Sequence, residues 1–219
     1  MRGDSIVVEE HHIKAAAKIV KIVTQLIEQH HGKYTIFIAG ESGCGKSETA
    51  TALATALSAS GKSCLILQQD DYFVYPPRTN DQTRRLDIGW VGPQEVRLDL
   101  LDGHLQAFRE GASIIEKPLV IYEEDRVTTE RFDFGDSKVL ITEGTYTTTL
   151  SNVNTHIFID RDYLQTRSHR NKRRRSDAEL DPFIDRVLAI EHDIISAHKA
   201  LAQLIVDKDY SVLQQTASD

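Results

Sequence analysis

Short apolar runs alternate with longer, more polar segments along most of the chain. Five of these runs are typical of buried strands, because each is short, apolar and bounded by glycine or polar residues. They cover residues 34–39, 63–68, 138–142, 155–159 and 204–206. Apolar strands that alternate with helices predict an α/β fold of three layers, in which a mainly parallel sheet carries helices on both faces.

The segments between the predicted strands are expected to be mainly helical. Helices are predicted at residues 9–31, at 48–57, from Pro93 to about Glu110, at 161–176 and from Asp181 to about Ala202. Residues 74–92 contain two prolines, two glycines and many charges, which predicts a long functional loop. Residues 113–134 have strand-like composition, interrupted by Pro118 and by acidic clusters.

Residues 40–47 read GESGCGKS and match the phosphate-binding pattern G-x-x-x-x-G-K-[ST]. The match lies between a predicted strand and a predicted helix, as phosphate binding requires. The glycines let backbone N–H groups converge on phosphate oxygens, and the helix adds its N-terminal dipole. Lys46 suits the β- and γ-phosphates, and the Ser47 hydroxyl suits Mg²⁺. We predict a nucleoside triphosphate site formed by Gly40, Glu41, Ser42, Gly43, Cys44, Gly45, Lys46, Ser47 and Glu48.

Acidic residues follow three of the predicted strands, namely Asp70, Glu143 and Asp160. Ligands of parallel sheets bind beyond the carboxyl ends of the strands, so these side chains are expected beside the phosphate loop. Phosphoryl transfer needs a group that accepts the proton of the attacking hydroxyl, and Asp70 is predicted as this base, with Asp71 as the alternative. Ser47, Asp70 and Glu143 are the predicted Mg²⁺ ligands, directly or through water.

Six of the nine residues at 167–175 are basic. Arg167, Arg170 and Arg174 would share one face of a helix, where their guanidinium groups could bind triphosphate oxygens and exclude water. We therefore predict a lid at 161–180. Two alternatives are a nucleic-acid-binding patch and a solvated helix face paired with the acidic residues that follow.

The composition is ordinary for a soluble protein, and the formal net charge is -7. This charge disfavours a general nucleic-acid partner, because a polyanion would be repelled. No apolar stretch reaches membrane-spanning length, the N-terminus lacks a signal-peptide pattern, and the two cysteines do not make a disulfide framework. A cytoplasmic protein with reduced thiols and with neither a nucleic-acid nor a membrane partner is expected.

The histidine pairs at 11–12 and 30–31 are interpreted as solvated helix ends.

Taken in order, these motifs resemble the uridine kinase and phosphoribulokinase branch of the P-loop small-molecule kinases. The similarity covers residues 34–212. Five motifs occur here in the same order as in that family: the phosphate loop, Gln-Asp-Asp-Tyr at 69–72, Glu143-Gly144, Phe-Ile-Asp at 158–160 and the Arg-rich segment. The resemblance implies a P-loop NTPase fold with an Arg-rich lid helix, ATP as phosphoryl donor and Mg²⁺ as the metal. The resemblance implies Asp70 as the catalytic base, Ser47 and Glu143 at the metal, and phosphate contacts from Arg167, Arg170 and Arg174. Lys46, assigned to the phosphates by the loop motif, completes the predicted catalytic residues.

The acceptor side departs from the pattern of uridine kinases. Those enzymes carry a Phe-Asp-His-Pro-like segment where this chain reads Leu-Asp-Ile-Gly-Trp at 86–90. Uridine kinases also carry a Pro-x-Tyr-Asp segment and a His-x-Arg segment. In this chain Glu123 stands in place of the Asp, and no His precedes Arg126. Asp87 is expected to bind an acceptor hydroxyl and Tyr122 to stack on a ring. The predicted acceptor-binding residues are Asp71, Tyr72, Asp87, Tyr122 and Arg126.

We predict one kinase domain over residues 1–219, with an N-terminal helix in 1–32, an acceptor-binding region at 71–135 and the lid at 161–180. The expected reaction transfers the γ-phosphoryl group of ATP to a hydroxyl of a nucleoside, a ribosyl compound or a similar small metabolite. Alternatives are an adenylylsulfate- or antibiotic-kinase-like enzyme and a nucleotide-switch NTPase. The chain lacks the Asn-Lys-x-Asp guanine-binding motif, which disfavours the switch. The sequence leaves open the acceptor, ATP versus GTP, and whether the protein forms a homo-oligomer.

Overall fold

The computed structural model describes residues 6–166 and 181–215 of the chain. The helices among them are α1 (Glu10–Gln29), α2 (Lys46–Ala59), α3 (Pro77–Leu86), α4 (Leu98–Arg109) and α5 (Pro182–Ile195). The strands are β1 (Tyr34–Gly40), β2 (Cys64–Gln68), β3 (Ile114–Ile121), β4 (Arg126–Asp133), β5 (Val139–Gly144), β6 (Thr155–Ile159), β7 (Leu204–Val206) and β8 (Val212–Gln214). A 3-10 turn at Gln69–Tyr72 directly follows β2.

The central sheet has the strand order β2-β5-β1-β6-β7-β8. Its first five strands are parallel, and β8 runs antiparallel at one edge. All five predicted strands are present, and the predicted mainly parallel α/β sheet is confirmed. The carboxyl ends of the parallel strands meet at one edge, which brings the loops after β1, β2, β5 and β6 together.

Successive residues of the central strand β1 point to opposite faces of the sheet. Ile36 and Ile38 belong to one buried core, together with apolar residues of α1 and α2. Phe37 and Ala39 belong to a second core, which includes apolar residues of α4 and the last residue of α5. The sheet therefore lies between two layers of helices, as the sequence predicts.

Residues 74–92 do not form the long loop that their composition predicts. They contain α3, which Pro77 opens at a position where a missing N–H costs nothing. Asn80 is the buried residue of this helix, and nearly all of its other positions are polar or charged. Because no apolar stripe marks α3, a prediction from hydrophobic periodicity misses it.

Two predicted helices are shorter than expected. Residues 93–95 form a 3-10 turn, and α4 starts only at Leu98. Between them Val96 takes an extended conformation and forms an isolated β-bridge with Phe73, which interrupts the helix. At the other end of the chain, α5 stops at Ile195 and continues as a 3-10 helix to Leu201.

The strand-like segment at 113–134 forms an antiparallel hairpin of β3 and β4, separate from the central sheet. The hairpin is attached to the turn after β2 through Asp71. This carboxylate accepts hydrogen bonds from Lys117 Nζ at 2.7 Å and from the backbone N–H of Val120 at 3.1 Å. The hairpin is thereby held beside the carboxyl edge of the sheet.

The predicted basic helix at 161–176 begins as loop and turn over residues 161–166, and the rest of it lies outside the described residues. Cys44 and Cys64 are free thiols, in agreement with the prediction. Within the described ranges, none of the helices is both long enough and apolar enough to span a membrane.

Candidate active site

The phosphate loop between β1 and α2 takes a backbone conformation that depends on its glycines. Gly40 has a φ of 151° and Gly45 a φ of 99°. A Cβ at Gly40 would lie 2.7 Å from Cys44 Sγ and 2.8 Å from the carbonyl oxygen of Ile159, so no larger residue fits there. Gly45 is the N-cap residue of α2, so the free N–H groups of the first helical turn lie in the loop.

Lys46 and Ser47 are the first two residues of α2. Lys46 Nζ donates to the carbonyl oxygen of Glu41 at 2.9 Å, which folds the lysine over the loop. Ser47 Oγ donates to Glu143 Oε1 at 2.9 Å, although the two residues are 96 positions apart. The predicted pairing of Ser47 with the acidic end of β5 is thus present in the geometry.

Asp70 and Glu143 place two carboxylates near Ser47 at the carboxyl edge of the sheet. Burial of Glu143, reinforced by the charge of Asp70, raises the pKa of Glu143 to about 7, while Lys46 and Ser47 oppose the shift. A divalent cation would stabilise both carboxylates in their charged form.

The donor set at this edge fits Mg²⁺. Across residues 6–166 and 181–215, no three His, Cys, Asp or Glu side chains are grouped so that they could hold a metal by themselves. Mg²⁺ does not need such a group, because it usually binds one or two carboxylates together with substrate phosphates and water. Ser47 and Glu143, with Asp70 beside them, offer oxygen donors of the kind that would form the protein's share of such a ligand set.

Asp71 occupies a different environment from Asp70. It is buried, and Lys117 and the Val120 N–H bind its two carboxylate oxygens. Lys117 also pairs with Glu130 on β4 at 2.8 Å. Asp70 lines the pocket in front of the phosphate loop, whereas Asp71 does not and instead fixes the hairpin.

A pocket of about 240 Å³ opens in front of the phosphate loop. One half, the nucleotide half, is lined by Ser42, Gly43, Lys46, Ser47, Asp70 and Glu143. The other half, the acceptor half, is lined by Phe73, Tyr75, Asn80, Arg84, Tyr122 and Glu191. Aromatic side chains combined with a few polar groups are typical of a site for a small polar ligand.

Arg84 on α3 is held between two carboxylates in the acceptor half. Its Nε and Nη2 bind the two oxygens of Glu95, with Nη2 at 2.7 Å, and Nη2 also donates to Glu191 Oε1 at 3.1 Å. Asn80 donates to Glu95 at 3.1 Å and accepts from Trp90 Nε1 at 2.9 Å. Burial raises the pKa of Glu191, and the Arg84 guanidinium opposes this shift.

Sequence reasoning missed Arg84, Glu95 and Glu191 as site residues. Arg84 and Glu191 are 107 positions apart and belong to no recognisable motif. The one signal in the sequence was an arginine in a segment that was expected to be a functional loop, and this signal does not single out Arg84 from its neighbours.

The predicted acceptor-binding residues are only partly brought together. Tyr122 lines the pocket. Tyr72 is fully buried, and its hydroxyl is hydrogen-bonded to His104 Nδ1 at 2.8 Å. Asp87 is exposed, and its carboxylate accepts a hydrogen bond from the backbone N–H two residues further along the chain. Arg126 is also exposed and forms an ion pair with a neighbouring glutamate at 2.7 Å. Tyr72, Asp87 and Arg126 therefore lie away from the pocket, which corrects the prediction.

Glu41, predicted as a nucleotide-binding residue, directs its side chain toward the protein. Its Oε2 accepts from the backbone N–H of Tyr163 at 2.7 Å, and its Oε1 is hydrogen-bonded to His192 Nδ1 at 2.6 Å. Thr166 Oγ1 donates to the carbonyl oxygen of Ser42 at 3.1 Å. These bonds attach α5 and the segment after β6 to the phosphate loop.

The side chains of two further predicted nucleotide-binding residues, Cys44 and Glu48, are turned away from the pocket. Both are buried, so a nucleotide would meet their backbone N–H groups rather than their side chains. The predicted lid arginines, Arg167, Arg170 and Arg174, lie outside the described residues.

Comparison with known proteins agrees with this geometry. The sequence model of the phosphoribulokinase / uridine kinase family matches residues 35–175. The chain is 30% identical over 216 residues to a bifunctional alpha-galactosidase/sucrose kinase of Mediterraneibacter gnavus, a match that covers 93% of this chain and 23% of that protein. This chain thus spans about a quarter of the length of that curated relative.

Solved structures share the fold. A putative fructose transport system kinase from Silicibacter sp. TM1040 superimposes with a TM-score of 0.62 at 18% identity, over 85% of this chain and 93% of that one. Phosphoribulokinase from Rhodobacter spheroides superimposes with a TM-score of 0.62 at 14% identity, over 80% of this chain and 70% of that one. From the extent of the family match, the chain belongs to the phosphoribulokinase / uridine kinase family of P-loop kinases.

Proposed function

We propose that this chain is a small-molecule kinase that transfers the γ-phosphoryl group of ATP to a hydroxyl of a small carbohydrate. The observation that carries the proposal is the shared pocket, in which Lys46, Ser47, Asp70 and Glu143 line one half while polar and aromatic side chains line the other. An acceptor in the second half lies directly in front of the phosphate loop. Phosphoryl transfer needs this arrangement, because its catalysis depends on positioning and charge stabilisation.

Each residue of the nucleotide half has a separate role in the proposed reaction. Bound ATP and Mg²⁺ supply the phosphoryl group and neutralise its developing charge. The loop N–H groups and Lys46 orient the phosphates, and Ser47 and Glu143 hold the metal directly or through water. Asp70 accepts the proton of the attacking hydroxyl.

Two observations support a carbohydrate acceptor. The relative whose name includes sucrose kinase is 30% identical to this chain over a match that covers 93% of it. In the acceptor half, Tyr75 and Tyr122 offer aromatic rings beside the hydrogen-bonding groups of Arg84 and Glu191. Several polar groups next to aromatic rings suit a compound that is rich in hydroxyl groups.

A nucleoside or ribosyl acceptor, expected from the sequence, is the second candidate. Tyr122 favours it, because the tyrosine ring in the pocket can stack on a base. The departures from the uridine kinase pattern at residues 86–90 and at Glu123 weaken it.

A coupled ADP-release assay tests the proposal with sucrose, fructose, glucose, uridine and ribose, each with and without Mg²⁺. We expect ADP release that requires both a sugar and Mg²⁺. Lys46→Ala is the matched control and should abolish turnover without unfolding the protein, because the side chain contacts the loop rather than the core. Release with nucleosides alone would favour the second candidate, and release without any acceptor would favour a nucleotide-switch NTPase.

A further inference from the structure

The acceptor half of the pocket carries an excess of negative charge. Arg84 bonds both oxygens of Glu95, which is fully buried, so its positive charge is already compensated within the protein. Glu191 then adds a second carboxylate to the same guanidinium. With Glu191 ionised, these three groups carry one net negative charge at the wall of the pocket, and Lys46 of the nucleotide half is a further cation that acts on Glu191.

Glu191 retains unused hydrogen-bonding capacity. Its side chain is buried, with a relative exposure of 7% for the residue, and it lines the same pocket as Lys46 and Asp70. In the part of the chain that the structure describes, its hydrogen-bond partner is Arg84 Nη2, which binds Oε1 only. A carboxylate can accept about four hydrogen bonds, so Glu191 can accept further ones from a ligand. Because Glu191 lines the pocket, this capacity is available to a bound ligand or to water.

The other cations of α3 and β3 are engaged elsewhere. Arg78 donates to a backbone carbonyl of the hairpin at 2.6 Å, Arg85 pairs with Asp81 at 2.8 Å, and Lys117 pairs with Asp71 at 2.7 Å. None of these three cations is among the residues that line the pocket in front of the phosphate loop. Among the described residues that line the pocket, the cations are Arg84, which Glu95 and Glu191 compensate, and Lys46, which belongs to the nucleotide half.

We propose that Glu191 accepts a hydrogen bond from a hydroxyl of the acceptor substrate. Its negative charge would thereby favour uncharged acceptors and disfavour acceptors that carry a phosphate or a carboxylate. The inference rests on the proposed kinase function and narrows its substrate class. A hydroxyl can donate to Glu191 and accept from Arg84 at the same time. A phosphate or carboxylate would instead face Glu191 inside a partly desolvated pocket, where repulsion between like charges is strong.

Neutral acceptors and two phosphate isomers of each test this selection: fructose with its 1- and 6-phosphates, glucose with its 1- and 6-phosphates, and uridine with its 3′- and 5′-monophosphates. At least one isomer of each pair keeps the hydroxyl that reacts in the neutral compound, so its poor turnover reports the charge and not a blocked hydroxyl. For the wild type we expect kcat/KM for the neutral compound to exceed that for either of its phosphates by at least about 100-fold. Glu191→Gln should raise the acceptor KM by about tenfold and reduce the preference to about tenfold. The KM for ATP should change less than the acceptor KM, because Glu191 is hydrogen-bonded to Arg84 of the acceptor half and interacts with Lys46 through its charge alone.

Asp193→Asn is the matched control, since Asp193 lies on the same helix but is exposed. It should leave the acceptor KM and the preference unchanged. If Glu191→Gln does not fold, Glu191→Asp replaces it in the test. This variant keeps the negative charge but moves it back by one methylene. The acceptor KM should then rise, while the preference for neutral over phosphorylated acceptors should persist. Better turnover of sugar phosphates than of free sugars would overturn the inference and leave the kinase proposal standing. Turnover of uridine alone, without its monophosphates, would sink the carbohydrate assignment and support the selection.

Discussion

At the residue scale, Asp70 and Asp71 are chain neighbours whose surroundings differ. Asp70 lines the pocket with Lys46 and Glu143. Asp71 is buried and bonded to Lys117 and to the backbone of β3. Since a general base has to reach the acceptor hydroxyl, this difference supports Asp70 as the base.

We expect Asp70→Asn to lose at least about 100-fold in kcat with little change in ATP affinity, because the proton acceptor is removed. Asp71→Asn should mainly lower thermal stability, because buried Lys117 loses part of its counter-charge. Turnover from ADP release and unfolding from circular dichroism, measured on both variants, separate the two effects. If the Asp71→Asn variant folded stably but were inactive, while the Asp70→Asn variant lost little activity, Asp71 would be the base.

The phosphate loop can be recognised in the sequence because its pattern occupies eight contiguous positions at 40–47. The Arg84–Glu191 pair could not, because its members come from segments 107 positions apart. His12 shows the same limit. Its interpretation as part of a solvated helix end is wrong: the side chain is fully buried, and its Nε2 is hydrogen-bonded to Tyr210, 198 positions away.

At the element scale, the pair of Glu41 and His192 joins the phosphate loop to α5. The hydrogen bond from Glu41 raises the pKa of His192 above its ordinary value of 6.5, with contributions from Asp162 and Asp193, while partial burial opposes the shift. A raised histidine pKa means that the stabilisation is fully present below about pH 6.5. It is lost as the pH rises through the raised pKa.

We therefore expect His192→Gln to lower the melting temperature relative to the wild type near pH 6, and to have little effect near pH 9, where the wild-type histidine is neutral as well. The effect should be small, because His192 is partly exposed. Melting curves of both proteins across this range, with the His192 pKa from an NMR titration, check the expectation. A difference of the same size at both pH values would show that the charge of His192 does not matter.

The hairpin of β3 and β4 depends on a buried ion pair. The side chains of Lys117 and Asp71 are 3% and 5% exposed, and Lys117 also pairs with Glu130. Lys117→Met should destabilise the protein by about 3 kcal/mol, because it leaves Asp71 buried without its counter-charge. Denaturant unfolding measures this change.

Lys14→Met on α1 is the control for that change, because it removes an exposed pair with Glu10. It should have little effect on unfolding. Equal stabilities for the two variants would show that the Lys117–Asp71 pair contributes no more than a surface pair.

Strands were easier to predict than helices in this chain. Strands β1 and β5 at the centre of the sheet are buried at every position, so each contains a short apolar run that is easy to recognise. Helix α3 packs mainly through polar contacts such as Asn80–Glu95 and Arg84–Glu95, and these leave no periodic apolar signal. The short antiparallel strand β8 was not expected either, since its middle and last residues are exposed.

At the scale of the whole molecule, the strand order explains why distant residues form one site. β1 lies between β5 and β6, so the phosphate loop is flanked by Glu143 on one side and Asp160 on the other. β2 pairs with β5 and brings Asp70 to the same edge. The order of the strands could not be read from the sequence. The rule that ligands bind at the carboxyl edge of a parallel sheet was enough to predict that the residues of the nucleotide half lie together.

The described residues on either side of positions 167–180 are each bound to a neighbouring element. Thr166 binds the phosphate loop through Ser42, and Asp181 pairs with Arg85 of α3 at 2.8 Å. Thr166 thus lies at the nucleotide half of the pocket, and Asp181 lies beside α3, the helix that carries Arg84. This placement supports the hypothesis that the arginines of the Arg-rich segment act on the phosphates, although the arginines themselves lie outside the described residues.

If Arg170 acts on the transferred phosphoryl group, Arg170→Ala should lower kcat by about 10- to 1,000-fold, because a charge that stabilises the transition state is lost. Arg170→Lys should restore activity only partly, since lysine lacks the planar fork that binds two oxygens. A nucleic-acid patch makes the opposite prediction: unchanged kinase activity and loss of an oligonucleotide affinity that falls steeply with salt. Both quantities are measured on the same Arg170→Ala sample, and intact kinase activity together with lost oligonucleotide binding would exclude the role at the phosphates.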